Sequence, residues 1–147
     1  MPDVGEYRLG SKQVARLAGI PYRTLDGWLR SGLLICSSPA RGTGTRREFS
    51  FVDVVRVRVV AQLRRHGVSL QTVRRAVREL TERWGVRDPL AQAERLVVVG
   101  EKLFWDLDDA ALLDTISGQL AARPLVIVPL SQIAADTSVQ IAQLRAA

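Results

Sequence analysis

The stretch from residue 11 to residue 34, SKQVARLAGIPYRTLDGWLRSGLL, predicts two short helices joined by a tight turn. The first helix has apolar residues at spacings of three and four, which lie on one helical face: Val14, Leu17 and Ala18. Ser11 is a suitable N-cap for this helix, because a serine hydroxyl can accept a hydrogen bond from the first helical turn. Gly19 is then expected to end the helix.

The second helix of this stretch is expected to begin at Pro21, since the missing N–H of proline costs nothing in a first helical turn. An apolar stripe follows, formed by Leu25, Trp28 and Leu29. Gly32 is expected to end this helix. Two short helices joined by a turn that contains glycine are typical of a helix-turn-helix.

The next segment predicts a β-hairpin with a basic loop. The apolar run LLIC at 33–36 is expected to form a strand, and SSPARGTGTRREFS at 37–50 a loop and a return strand that ends near Phe49. The arginines of this loop would make the hairpin a wing beside the two helices. A plain linker is the alternative, but arginines placed before an aromatic return strand favour the wing.

The segment that follows the hairpin is ambiguous between strand and helix. Valine alternates with arginine over residues 55–59, as in a strand. Ser50 followed by Asp53, however, forms a capping-box pattern. Basic residues before Gly67 also suit the C-terminus of a helix, so we expect a helix here.

Residues 69–84 predict the clearest helix of the chain. Ser69 is a suitable cap and Gly85 a suitable end. The apolar stripe steps by three and four residues through Leu70, Val73, Val77, Leu80 and Trp84. Three arginines off this stripe are expected to face solvent, with a second contact to phosphate as the alternative: Arg74, Arg75 and Arg78.

The pattern changes in residues 86–147. The segment RLVVVGEKLFWDL at 95–107 predicts two strands around a type II′ turn at Gly100, and PLVIVP at 124–129 predicts a buried strand. The segment SQIAADTSVQIAQLRAA at 131–147 predicts a helix. Its apolar side is expected to comprise Ile133, Val139 or Gln140, Ile141 and Leu144.

These elements together predict a mainly α fold with small β elements, in two domains. Residues 1–85 would form a winged helix-turn-helix of four helices plus a β-hairpin wing, and residues 86–147 a small α+β module. Charge divides at the same place: residues 1–85 hold 16 Lys and Arg against 7 Asp and Glu (net +9), and residues 86–147 hold 5 against 8 (net −3). The basic charge of residues 1–85 indicates a polyanionic partner, with a basic surface that has no partner as the alternative.

Composition and motifs exclude several classes of function. No apolar run approaches the roughly 18 residues that span a bilayer, and the N-terminus lacks the order of a signal peptide, so we expect a cytoplasmic protein without a membrane partner. The sequence contains neither metal-ligand spacing nor a phosphate-binding glycine loop. A catalytic pair could be formed only by Cys36 and His66, which fit a core position and a helix end better. We therefore expect no enzyme, no cofactor and no metal site.

Three segments resemble the DNA-binding domain of the MerR family. YRLGSKQVARLAGIPYRTLDGWLRSGLL is similar to the opening helices and the Gly-Leu-Leu exit of that family, RREFSFVDV to its wing return, and LRRHGVSLQTVRRAV to the junction that follows. The resemblance covers residues 7–82, and the order of the motifs makes it specific. It implies a DNA-binding protein with the winged fold expected above.

The resemblance also implies which residues contact DNA. Tyr22, Arg23 and Thr24 at the start of the second helix would reach the major groove, where arginine can pair with guanine O6 and N7. Arg47 matches the wing arginine, which would grip phosphate or enter the minor groove. Two further basic residues neighbour it without a matched role: Arg41 and Arg46.

Asp26 and Gly27 depart from the family, which has Arg-Tyr or Arg-His at this point to hold the DNA backbone. Asp26 is expected to repel phosphate, and Gly27 to cost the helix up to about 1 kcal/mol. Contacts to the DNA backbone must then come from other residues. We expect it from Lys12, Arg30 and the wing.

Residues 86–147 differ from the long dimerising helix of many MerR regulators and are weakly similar to the rear of MerR-like antitoxins of VapB type. The leading hypothesis is a sequence-specific double-stranded-DNA-binding transcriptional regulator, a repressor that acts as a homodimer on an inverted repeat. The alternative is an antitoxin that neutralises a toxin through residues 86–147 and represses its own operon. An architectural DNA-bending protein is a third hypothesis.

Overall fold

The protein, seen in a computed structural model, is mainly helical with one small antiparallel sheet, as the sequence predicts. The structure describes residues 8–36, 46–84, 95–105 and 125–146. The helices of these residues are α1 (Ser11–Ala18), α2 (Tyr22–Arg30), α3 (Phe51–Arg65), α4 (Leu70–Trp84) and α5 (Leu130–Ala146). The strands are β1 (Leu96–Val99), β2 (Lys102–Trp105) and β3 (Leu125–Val128).

The chain divides into two compact units. The first consists of Met1–Ala61 together with Ile133–Ala147, and the second of Gln62–Gln132. The expected division into a DNA-binding domain and a partner-binding module at residue 85 concerns function and stays a prediction. None of the described helices has the length and apolar character needed to cross a lipid bilayer.

Helix α1 ends at Gly19 as predicted but begins one residue early. Its N-cap is Gly10 rather than Ser11, and the side chain of Gln13 accepts a hydrogen bond from the Gly10 N–H at 3.1 Å. Gly19 has φ +68°, and the Ile20 N–H donates to the Ala15 carbonyl at 3.0 Å. A left-handed residue with these bonds closes the helix and turns the chain into α2.

Helix α2 ends just before Gly32 as predicted but begins at Tyr22, one residue later than predicted. Pro21 is its N-cap, and the Pro21 carbonyl accepts from the Thr24 N–H at 3.0 Å. Gly32 has φ +78°, which ends the helix at little cost because glycine lacks a Cβ. Leu25 is fully buried and anchors α2, whereas Trp28 and Leu29 are half-buried.

Helix α3 settles the ambiguity of the segment after the hairpin, and the strand interpretation is wrong. The capping box is formed: the Ser50 N–H donates to Asp53 Oδ2 at 2.9 Å, and the Asp53 N–H donates to Ser50 Oγ at 3.2 Å. Asp53 itself is only 2% exposed and accepts a further hydrogen bond from Arg56 at 3.2 Å. Local hydrogen bonding at the helix start therefore outweighs the alternation of valine and arginine.

Helix α4 begins at the predicted cap, since Ser69 Oγ accepts from the Thr72 N–H at 3.3 Å. The middle of the predicted stripe is buried and includes Val73 and Leu80. Leu70, the first residue of the predicted stripe, is 43% exposed, so that part of the prediction is wrong.

The sheet has the strand order β2-β1-β3, and both pairings are antiparallel. The predicted two-residue turn joins β1 to β2, with Val99 opposite Lys102 and Gly100 at φ +61°. β1 is buried throughout, as a central strand with two neighbours should be. β3 was expected to be buried but alternates, with Leu125 and Ile127 about 40% exposed.

Helix α5 is formed, and its expected apolar side is buried only at Ile133 and Ile141. Val139 is 57% exposed and Leu144 38% exposed. Thr137 is fully buried instead, where its hydroxyl donates to the Ile133 carbonyl at 2.6 Å and accepts from Arg58 at 2.8 Å. A threonine with both hydrogen-bonding needs met can occupy a core position that apolar periodicity does not reveal.

The predicted wing lies in part outside the described residues. Residues 33–36 form no strand, so that half of the predicted hairpin is wrong. The return segment pairs elsewhere: Leu9 and Phe49 form an isolated antiparallel bridge, with two backbone hydrogen bonds of 3.0 and 2.8 Å. The Cys36 thiol donates to the Glu48 carbonyl at 2.8 Å, a contact between residues 12 positions apart in the chain.

Candidate nucleic-acid interface

The exposed face of α2 carries its polar residues. Leu25 lies on the opposite, buried face, and Arg23, Gly27 and Arg30 are exposed. Tyr22 at the first position of the helix is 47% exposed. Residues three or four apart share a helical face, so these positions form one continuous surface.

A groove of about 590 Å³ opens along this surface. Three parts of the chain form its walls: the start of α1, the polar face of α2 and the segment at residues 46–47. The residues that line it are Gly10, Ser11, Lys12, Gln13, Tyr22, Asp26, Arg30, Arg46 and Arg47. Four cations and one carboxylate give the lining a net charge of +3, and the positive end of the α1 helix dipole adds to it.

Asp26 joins two of these cations. Arg30 Nε lies 2.7 Å from Asp26 Oδ2, and Arg47 Nη1 lies 2.7 Å from Asp26 Oδ1. Each carboxylate oxygen therefore has its own guanidinium partner, one on the same helix and one 21 residues further along the chain. The charge of Asp26 is thus balanced by two guanidinium groups within the protein, and the expected repulsion between Asp26 and phosphate stays a prediction.

The two arginines also set the protonation of Asp26. The hydrogen bond from Arg47 is the first cause that holds the pKa of Asp26 below its usual value, and the hydrogen bond from Arg30 is the second. Both interactions favour the ionised form, because a cationic donor stabilises a carboxylate. Asp26 is therefore a carboxylate at neutral pH.

Comparison with known proteins identifies this region as a helix-turn-helix. Residues 10–80 match the family described as MerR HTH family regulatory protein. Residues 10–80 are a MerR-family helix-turn-helix domain. Uncharacterized HTH-type transcriptional regulators from Mycobacterium tuberculosis and Mycobacterium bovis are each 42% identical to this chain over 74 residues. The match covers 50% of this chain and 32% of each relative, so the chain spans about a third of the length of these relatives.

The MerR domain brings most of the predicted DNA-contacting residues together. Those that line the groove are Lys12, Tyr22, Arg30, Arg46 and Arg47. Arg23 and Thr24 lie on α2 but not in the groove lining, with Arg23 exposed and Thr24 half-buried. Arg41 lies outside the described residues. The contact of these residues with DNA stays a prediction, as does the likeness of residues 86–147 to VapB-type antitoxins.

The cations of the MerR domain differ in how far they are restrained. Ion pairs within the first unit include those that join Arg30 and Arg47 to Asp26, Arg8 to Glu48, and Arg56 to Asp53. In the groove lining, Asp26 restrains Arg30 and Arg47, whereas the exposed Lys12 and Arg46 belong to none of the pairs named above. The exposed Arg23 on α2 belongs to none of them either.

Sequence reasoning could have found one of the two ion pairs. Asp26 and Arg30 are four residues apart on one helix, a spacing at which opposite charges meet. Arg47 is 21 residues away from Asp26, and no local pattern connects them. The structure adds Asp26 to the site, together with Gly10, Ser11 and Gln13 at the start of α1.

Cys36 and His66 each occupy the kind of position that the sequence predicts for them, a core position and a helix end. Cys36 is 6% exposed, and its thiol donates to a backbone carbonyl. His66 is exposed just beyond the C-terminus of α3. Among the described residues, no group of three or more His, Cys, Asp or Glu is arranged to hold a metal ion.

Proposed function

We propose that this chain is a sequence-specific double-stranded-DNA-binding transcriptional regulator that acts as a repressor and binds an inverted repeat as a homodimer. The observation that carries the proposal is the convergence of four cations and Tyr22 on one groove beside the exposed face of α2. The names of the mycobacterial relatives, HTH-type transcriptional regulators, support it.

The chemistry of the groove suits a phosphodiester backbone. Arginine and lysine side chains provide charge-assisted donors to phosphate oxygens, and the start of a helix adds oriented N–H groups. Phosphate contacts of this kind set the register of a protein on the duplex without reading its sequence. Lys12, Arg46 and the Asp26-bound arginines would take this role.

The residues at the start of α2 would read the base sequence of the DNA. Arg23 is exposed and takes part in none of the ion pairs described above, so its guanidinium can reach the edge of a base. A bidentate contact to guanine O6 and N7 is the commonest specific contact of arginine in the major groove. Two copies of the chain would place two α2 helices on related half-sites, which accounts for the expected inverted repeat.

Selection of binding sites from a random duplex library, followed by footprinting, tests the proposal. The purified protein is expected to enrich one inverted repeat and to protect it at moderate salt. Sedimentation with and without the selected duplex should show two chains per site. Enrichment of no sequence, or protection that does not depend on sequence, would contradict a regulator of this kind.

Repression is tested separately in a reporter strain. The selected operator is placed across a promoter, and expression is compared with and without the protein. Lower expression in its presence supports a repressor, whereas higher expression would show an activator that binds the same DNA.

A further inference from the structure

The carboxylate of Asp26 stands between two guanidinium groups at the centre of the groove. Its two oxygens accept separate hydrogen bonds of 2.7 Å from Arg30 and Arg47. The side chains differ in exposure: Arg30 is 75% exposed, whereas Arg47 is 23% and Asp26 20% exposed. Asp26 therefore fixes Arg47 more firmly than it fixes Arg30.

We propose that Asp26 is a positioning residue that raises the discrimination between operator and other DNA by holding Arg30 and Arg47 at fixed places in the groove. The inference rests on the proposed DNA-binding function. It assigns to Asp26 a role beyond simple repulsion, because the acid restrains two cations as well as opposing the phosphates.

The remaining donors of the two arginines make such a role compatible with DNA binding. A guanidinium has five N–H donors, and the bond to Asp26 uses one of them in each arginine. Arg30 and Arg47 can therefore donate to a phosphate while they stay bound to Asp26. The phosphate must then lie where the fixed guanidinium points.

Operator DNA and other DNA differ in whether their phosphates lie where the fixed guanidinium groups point. On the operator, contacts of α2 with base edges hold the duplex in one register, so the same phosphates always face the fixed arginines. On other DNA the register varies, and an arginine can follow a displaced phosphate only if it leaves Asp26. The carboxylate thus weakens binding to all DNA, and it weakens binding to non-operator DNA more.

Asp26→Asn tests the inference, because the amide keeps the size of the side chain and removes its charge. The probes are the operator duplex from site selection and a duplex of the same composition with scrambled half-sites. Affinity for the scrambled duplex is expected to rise about tenfold, and the slope of log K against log salt to steepen by about 1 to 2 as arginines are released to phosphates. Affinity for the operator should rise less than about threefold, so the ratio of the two affinities falls.

Glu82→Gln is the matched control, because it adds the same charge at an exposed position of α4 that does not line the groove. It should leave the affinity ratio unchanged. Asp26→Asn is also made in an Arg47→Gln background, where the fall of the ratio should be smaller because the firmer of the two restrained arginines is gone.

The results separate this inference from the proposed function. A wild-type protein that selects no operator refutes the proposed function. A wild-type protein that selects an operator, with an unchanged or higher affinity ratio in Asp26→Asn, refutes the positioning role and leaves the function intact. An equal fall of the ratio with and without Arg47 would also overturn the inference, because the effect would then not pass through the restrained arginines.

Discussion

Helices α2 and α4 are both amphipathic, and both carry arginines on their polar side, but the structure uses these arginines differently. In α2 the polar side opens into the groove, and Asp26 arranges the cations there. In α4 the polar side meets the β1–β2 hairpin, where Arg75 donates to the Glu101 carbonyl and Glu79 accepts from the Trp105 indole N–H. One of the three α4 arginines is therefore engaged within the protein, whereas Arg74 and Arg78 remain exposed.

The largest expected effect comes from Arg23→Ala, which tests whether α2 reads bases. Loss of a bidentate contact to guanine should cost about 1 to 3 kcal/mol of operator affinity and relax the preference at one base position. Site selection repeated with the variant measures both quantities. A variant that keeps the full base preference would show that Arg23 does not read the sequence.

A smaller effect is expected from Arg46→Ala, which tests the contrast between the two helices directly. Removal of one phosphate contact should weaken binding to operator and scrambled duplex alike and lower the salt slope by about 1. Arg78→Ala removes the same charge from an exposed position of α4 and should change neither quantity appreciably. If Arg46→Ala and Arg78→Ala weaken binding equally, the total positive charge of the protein, rather than the charge of the groove, determines DNA affinity.

Gly27→Ala separates the stability of α2 from its function. A Cβ at Gly27 would meet no atom within 4 Å, and alanine favours a helix interior over glycine by about 1 kcal/mol. The free energy of unfolding, from denaturant titration, should rise by about this amount. Gly32→Ala is the control: its Cβ also has open space, but φ is +78°, so the variant should be less stable than the wild type.

Loss of operator affinity in a stabilised Gly27→Ala variant would indicate that DNA approaches the backbone of α2 at this point. Unchanged affinity would mean that the glycine is simply tolerated there. Loss of affinity would mean that α2 uses a glycine to let DNA approach its backbone, a feature that α4 lacks because it contains no glycine.

The smallest expected effect is a dependence of stability on pH. The pKa of Asp26 is lowered in the folded protein, so its ion pairs contribute stability that is fully present above the unfolded pKa of about 3.9. This contribution is lost as the pH falls through the lower, folded pKa. The stability difference between wild type and Asp26→Asn should therefore be constant near neutrality and change only in acid, as denaturant titrations at several pH values can show.

The sequence predicts best what adjacent residues decide. Gly19 and the Ser50–Asp53 capping box act within one helical turn, so the corresponding helix ends agree with the structure to within a residue. Contacts between distant residues were missed, because neither the pairing of Leu9 with Phe49 nor that of Asp26 with Arg47 leaves a local pattern. The three parts of the groove could be named from the sequence, whereas the arrangement of its charges could not.

Part of the buried face of α5 was missed for a different reason, although Ile133 and Ile141 are buried as expected. Apolar periodicity assumes that core positions carry apolar side chains, and Thr137 violates this assumption through its bond from Arg58. Arg58 also donates to Gln140 at 2.7 Å, so a polar network replaces the expected apolar contact. The partners in this network are about 80 residues apart in the chain. A periodicity analysis of one segment therefore cannot predict it.

The bridge between Leu9 and Phe49 has a consequence for how the groove tolerates change in chain length. It closes a loop of about forty residues that contains both helices and the Arg46–Arg47 segment. The entropy lost on closing a flexible loop grows only logarithmically with its length, and doubling the length costs about 0.6 kcal/mol. A longer chain between α2 and Arg46 would therefore add little to the entropy cost of closing this loop, whose two ends the bridge between Leu9 and Phe49 holds together.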